Sequence, residues 1–171
     1  VGGGVYAALG DGDNSVNIGG AISRNASLGA GDGDDSVLFA EGSSLGGSAT
    51  LRLGDGDNSV SVGGDMARDL NIHGGIDNDL INILATAVIG RDANLSLGEG
   101  DNSLVVDGNI GGDLRFSGRD GNDTITLGAD ATIDDDISIR LSGGDNIVTI
   151  DGTVGGDLSV VSTNADDTVV L

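Results

Sequence analysis

The chain contains no cysteine, no proline, no tryptophan and no lysine. Without cysteine, neither a disulfide nor a thiolate metal site can form. Aromatic side chains are almost missing, with Tyr6, Phe39 and Phe116 the whole set. A conventional globular core draws on more large side chains than that. Bases are scarce as well: seven arginines stand against 28 acids, giving a net charge of −21. A polyanion finds little to contact on such a surface, which excludes nucleic acid as a partner and disfavours an anionic membrane. No run of about 18 apolar residues occurs, so no membrane-spanning helix is expected, and no charged-then-apolar leader opens the sequence.

What is present is glycine, aspartate and small aliphatics. Of 171 residues 33 are glycine, and 37% are hydrophobic, too many for a simple disordered polyanion. The acids must therefore sit in an ordered pattern. Motifs of the type Gly-Asp-Gly-Asp-Asn-Ser-Val recur down the chain, and the residue two before the first apolar position serves as an anchor. The anchors are Asn14, Asp35, Asn58, Asp79, Asn102, Asp123, Asn146 and Asp167, spaced alternately by 21 and 23 residues. The true period is 44 residues, built from two unequal halves, and no stretch is left over as a linker or second domain. Residues 1–171 read as one repeat-built segment, and an opening at Val1 with a stop inside an apolar run reads as an excerpt from a longer array.

Within each unit the apolar positions alternate with period two, the mark of a half-buried strand. After the anchors come Val16/Ile18, Val37/Phe39, Val60/Val62, Ile81/Ile83, Leu104/Val106, Ile125/Leu127, Val148/Ile150 and Val169/Leu171. A lone apolar residue follows (Ile22, Leu45, Met66, Ile89, Ile110, Ile133, Val154), then a second alternating stretch such as Leu70/Ile72 or Ile137/Ile139/Leu141. A unit of this size cannot bury its apolar face alone, but stacked copies can. The expected fold is all-β: a parallel β-solenoid of alternating 21- and 23-residue coils, about 35–40 Å long at a coil spacing of about 4.8 Å. The general preference of parallel crossovers favours a right-handed coil. Two extra residues between the first strand and the lone apolar position should form a bulge on alternate coils.

Stacking turns the acids that precede each anchor into columns of like charge. Neighbours about 5 Å apart repel by about 1 kcal/mol in water and about 3–4 at an effective dielectric of 20. That repulsion calls for counter-ions, and aspartate with backbone carbonyls makes a hard oxygen donor set suited to calcium. Metal-free Gly-Asp and Asn-Gly turns, stacked asparagine hydrogen bonds or other cations answer the same pattern.

The turns resemble the hemolysin-type (RTX) calcium-binding repeat, Gly-Gly-x-Gly-x-Asp-x-apolar-x. Gly118-Arg119-Asp120-Gly121-Asn122-Asp123-Thr124-Ile125-Thr126 fits apart from its second glycine, and Ala30-Gly31-Asp32-Gly33-Asp34-Asp35-Ser36-Val37-Leu38 apart from its first. The fit is looser at Gly74–Ile81, Leu141–Val148 and Ser162–Val169. Two features depart from the family: one such turn occurs per 21 or 23 residues rather than in direct tandem, and asparagine replaces the key aspartate in alternate coils. The resemblance implies calcium held between stacked turns, bacterial export and a calcium-rich exterior. The candidate ligands are Asp13, Asn14, Asp32, Asp34, Asp35, Asp57, Asn58, Asp77, Asp79, Asp101, Asn102, Asp120, Asp123, Asp145, Asn146 and Asp167.

Catalysis finds no constellation. His73 is the single histidine, at a position filled by Gly29, Ser117 and Val161 in other units, and paired carboxylates recur in every coil so that none stands out. The arginines read as scattered surface ion-pairing residues. Ice binding would want a regular outward threonine ladder, and the column Asn17, Leu38, Ser61, Asn82, Val105, Thr126, Thr149, Val170 is irregular. The sequence thus reads as non-enzymatic: a calcium-stiffened spacer of a secreted or bacterial cell-surface protein, such as an adhesin stalk, surface-layer component or matrix filament. Its expected partners are calcium, further copies end to end, or a cell-surface polysaccharide. The alternatives are a non-catalytic part of a carbohydrate-active β-helix enzyme and a metal-free self-assembling solenoid.

Overall fold

Each coil passes through three short strands in turn, because three alternating apolar segments are separated by glycine- and aspartate-rich corners that cannot continue a strand. The computed structural model describes residues 1–163 and 166–171. Every strand pairs in parallel with its counterparts in the adjoining coils, on both sides except at the ends of the stack, which sorts the strands into two eight-stranded sheets and one seven-stranded sheet. Sheet I runs from Val5–Gly10 to Leu158–Val161, sheet II from Ser15–Ile18 to Thr168–Val170, and sheet III from Ala21–Ile22 to Thr153–Val154. No helix occurs among the described residues. The chain is a parallel β-solenoid.

Sheet II keeps strict register through all its strands, Val16 pairing with Val37, Val37 with Val60 and so on to Val148 with Val169. These residues form the interior column that the alternation implies, and Val37, Val60, Ile81, Leu104, Ile125 and Val148 are buried. Val169 departs from that expectation at 47% exposure. The strand Thr168–Val170 has a neighbour on one side only, so its inward side chain is half uncovered. Across the interior, Ile22, Leu45, Met66, Ile89, Ile110 and Ile133 of sheet III meet the inward residues of sheets I and II in one core cluster. A thin interior of aliphatic columns needs few aromatics: Phe39 and Phe116 are buried in it, whereas Tyr6 points outward.

Sheet I carries a local irregularity. In the asparagine coils the register shifts between Ala8 and Gly10, between Arg52 and Gly54, and between Ser96 and Gly98, so that one extra residue bulges from each strand. The extra residue is Leu9, Leu53 or Leu97. Leu53 and Leu97 are fully buried, turning the bulge into a core contact.

The two-residue insertion forms the corner between sheets II and III on alternate coils. There Ser43, Ala87 and Ala131 donate their amides to Ala40, Leu84 and Gly128 three residues back, closing β-turns at 2.8–3.0 Å. The shorter coils answer with glycine packed against those turns. A Cβ on Gly108 would stand 2.5 Å from the Leu84 carbonyl oxygen and 2.7 Å from that of Ala87, with backbone on both sides and nothing flexible to yield. Gly108→Ala is therefore expected to lose about 1–3 kcal/mol of stability by overpacking, readable as an earlier urea or thermal transition. Gly2→Ala, in open space, is the neutral comparison.

Candidate functional site

The corner between sheets I and II gathers the anchors into a single hydrogen-bonded column. Each anchor's amide donates to the side-chain Oδ1 of the next: Asn14 to Asp35 (2.8 Å), Asp35 to Asn58 (3.0 Å), Asn58 to Asp79 (3.3 Å), Asp79 to Asn102 (3.0 Å) and Asn102 to Asp123 (3.0 Å). Asp123 continues to Asn146 (2.8 Å) and Asn146 to Asp167 (2.9 Å). Asp35, Asn58, Asp79, Asn102, Asp123 and Asn146 are all buried.

The second side-chain atom separates the two kinds of coil. In asparagine coils Nδ2 donates back to carbonyls of its own turn: Asn14 and Asn58 to Gly12 and Gly56 at 2.5 and 2.9 Å, Asn102 to Gly100 at 3.0 Å, Asn146 to Gly144 at 3.2 Å. An aspartate has no proton to give there. Oδ2 of Asp35, Asp79 and Asp123 is buried with no hydrogen-bond partner, on residues only 2%, 2% and 0% exposed. At Asp79 and Asp123 the space it occupies exists because the residue five before the anchor is glycine where the asparagine coils have leucine: a Cβ on Gly74 or Gly118 would collide with that Oδ2. Burial pushes the carboxyls of Asp79 and Asp123 up to about 6, against the hydrogen bonds they accept from Asn58 and Asn102. Asp167 goes the other way. The Ser162 hydroxyl, at the position of Gly74 and Gly118, together with the Asn146 amide, holds its carboxyl below the usual range.

The Asp/Asn alternation also spaces the buried charges. Asp35, Asp79 and Asp123 lie two coils apart, about 10 Å, which roughly halves the repulsion that adjacent coils would impose.

A second, exposed column runs beside the first. Asp13, Asp34, Asp57, Asn78, Asp101 and Asn122 each accept the amide of the next member, ending at Asp145, at 2.7–3.0 Å. Asp32, Asp77 and Asp120 stand exposed at the turn tips. Asp77 holds a positive φ of 82°, where its equivalents Gly33, Gly56, Gly100 and Gly121 meet the same demand without a side chain. The sixteen sequence-derived ligand candidates thus fall on one corner but divide into a buried column, an exposed column and the tips. Among the described residues no group of three or more carboxylates or histidines converges as a metal cluster. The turn at Ser162–Val169 includes positions 164 and 165, which lie outside the described residues.

The residues present still fit a hard cation in part. Three buried, unpartnered carboxylate oxygens lie beside glycine-rich turns whose carbonyls, in the neighbouring coils, accept from asparagine Nδ2. An ion or a proton satisfies such an oxygen; water is kept out.

Sequence reading overlooked a third column, at the corner between sheets III and I. Amides of Asp113, Asp136 and Asp157 donate to Asp92, Asp113 and Asp136 at 2.7–3.1 Å, and the Ser48 amide donates to Asn25 at 3.0 Å. Arg91 pairs with Asp69 at 3.5 Å, and Arg115 pairs with Asp92 at 3.7 Å and with Asp113. The signal was the repeat itself, since these residues fall 11 or 13 positions after each anchor.

No protein-family model matches the chain, and no curated protein matches it. The likeness of the turns to RTX repeats therefore rests on the turn motifs alone. A solved structure similar to the chain is that of a hyperactive, Ca2+-dependent, β-helical antifreeze protein from an Antarctic bacterium. The match has 22% identity and a TM-score of 0.44, over 98% of this chain and 62% of the length of that one.

Proposed function

We propose that this solenoid is a calcium-stiffened structural element, serving as a rigid spacer in a secreted or cell-surface protein. The observation that supports it best is the set of unpartnered buried oxygens on Asp35, Asp79 and Asp123. Leaving such an oxygen ionised and unpaired is costly, and a metal ion brought into contact with it offsets that cost. A bound calcium ion supplies charge neutralisation and a cross-link between neighbouring turns. Asp35, Asp79 and Asp123 would hold it with turn carbonyls, while Asp34, Asp57, Asp101 and Asp145 add negative potential from the exposed column. An aspartate turn facing an asparagine turn carries less charge than two aspartate turns, so affinity should be modest, as in extracellular modules. That suits a chain that stays expanded by self-repulsion where calcium is scarce and folds where it is plentiful. The reading is non-enzymatic, since paired carboxylates recur in every coil and none stands apart as a catalytic pair.

Melting temperature against free calcium tests it. Binding to the folded state alone should raise stability as ln(1 + [Ca]/Kd), with a chelator control at the low end. A curve that stays flat from chelator to millimolar calcium would leave a metal-free structural solenoid as the surviving reading.

A further inference from the structure

We infer that the outward face of sheet I is a docking surface for a linear acidic oligosaccharide, one bearing carboxylates along its length. The outward residues of this sheet include Arg52, His73, Arg115 and Arg140 and not one acid. The outward residues of sheet II carry no charge of either sign, and those of sheet III include Asp65 but no arginine. The other four arginines border sheet I: Arg24, Arg68 and Arg91 at its corner with sheet III, Arg119 at its corner with sheet II. In a chain of net charge −21, every arginine therefore lies on or beside one face.

The face is also shaped. Register pairs His73 with both Arg52 and Ser96, and Ser117 with both Ser96 and Arg140, so these residues form one line along the solenoid. Arg115 stands in the parallel line between Asn94 and Ser138. His73, Asn94, Ser96, Arg115, Ser117 and Arg140 surround a recess of about 170 Å3, with the two short serines in the middle and the long cationic side chains around them. Arg52 and Arg140 sit four strand spacings apart, about 19 Å, at the two ends of the line. Arg115 is engaged by Asp92 and Asp113, whereas Arg52 and Arg140 have no ion-pair partner among the described residues.

Guanidinium forks hold carboxylates through two parallel hydrogen bonds, and serine and asparagine suit sugar hydroxyls. No aromatic side chain faces outward between Arg52 and Arg140, so neither base stacking nor sugar-ring stacking is on offer. Recognition must rest on charge and hydrogen bonds. The acidic corners on both sides repel a strand that carries a charge at every residue. A glycan with a carboxylate on alternate sugars can instead place its charges over the arginines, and salt at physiological strength screens the corners beyond about 8 Å. This inference is independent of what satisfies the anchor turns.

The test titrates the calcium-supplemented protein, its folding checked by circular dichroism, with a hyaluronan hexasaccharide at physiological salt. A neutral six-sugar cello-oligosaccharide and a thymidine hexanucleotide serve as comparisons. The acidic hexasaccharide should bind, the neutral one should not, and added salt should weaken the complex. Arg52→Ser with Arg140→Ser should lower affinity about tenfold or more, while Arg24→Ser with Arg68→Ser, an equal change in net charge, should lower it less than about twofold. Equal losses in the two double variants would reduce the effect to net charge and overturn the inference. So would absence of binding, equal binding of the neutral sugar, or tighter binding of the hexanucleotide.

Discussion

Val62→Asp is expected to lose more than about 4 kcal/mol, enough to unfold the coils around it. Val62 is fully buried, pairs with Phe39 on one side and Ile83 on the other, and faces a core of aliphatic and phenyl groups with the Met66 thioether. A carboxylate there finds no cation and no donor. It loses the burial of the valine, worth about 1.5–3 kcal/mol, and adds the cost of an unpaired charge or of a forced proton. In a stacked array each coil is held only by its neighbours, so a broken coil uncovers the apolar faces on both sides of it. Asp65→Asn, three residues on but exposed on the outer side of sheet III, should stay within about 0.5 kcal/mol. The loss in Val62→Asp should shrink at low pH, where the new carboxyl can enter the core neutral. Equal melting losses for the two variants would mean that the inward and outward faces had been exchanged.

The fold was legible in the sequence because its two periodicities are phase-locked. The apolar alternation repeats at fixed offsets from the anchors, so the inward columns through Val60, Met66 and Leu70 follow from the spacing alone. The bulged leucines were visible only as a substitution pattern. That Leu53 and Leu97 are extra residues is a fact of register, which depends on the strand in the adjoining coil. The arginines looked scattered along the chain, yet Arg52, His73 and Arg140 each lie six residues before an anchor, and Arg24, Arg68 and Arg91 each lie eleven before one. Folding the sequence on its own period would have gathered them.

The candidate site was legible in place and less so in chemistry. The anchor spacing places sixteen oxygen-bearing residues on one corner, where the structure also has them. Composition could not tell that one oxygen of each anchor is already taken by the amide of the coil before it, leaving only Oδ2 of the aspartates for a ligand. The direction of hydrogen bonds between coils, and the collapse of the turn onto Gly74 and Gly118, decide which carboxylates are deprived of a partner. Neither is written in the spacing of acids.

Asp79→Asn combined with Asp123→Asn should stabilise the metal-free protein at pH 7.5 and remove most of its response to calcium. Both carboxyls are raised to about 6 by burial. The folded chain therefore holds these two protons more tightly than the unfolded chain, whose aspartates titrate near 3.9. Between about pH 4 and 6 the folded state binds more protons, so stability falls as pH rises through that window and the loss is complete above it. Holding a carboxyl at about 6 in the folded chain corresponds to about 3 kcal/mol for each group at neutral pH. Asparagine has the shape of the protonated acid and carries no charge, and it makes the column continuous in asparagine from position 58 to 146. The double variant should thus melt higher than the parent in chelator at pH 7.5, match it more closely at pH 5, and gain little from millimolar calcium. In the parent, protons compete with the ion, so the stabilisation by calcium should weaken as pH drops below about 6. Asp107→Asn with Asp151→Asn is the comparison for net charge. Both residues are exposed just past the sheet II strands, away from the anchors, and their loss should leave the calcium response intact. If the anchor variant melted lower than the parent in chelator, the aspartates would be engaged in bonds that the buried Oδ2 atoms do not show. If it kept the full calcium response, the ion would be held elsewhere, and the exposed column of Asp13, Asp34, Asp57, Asp101 and Asp145 would be the place to look.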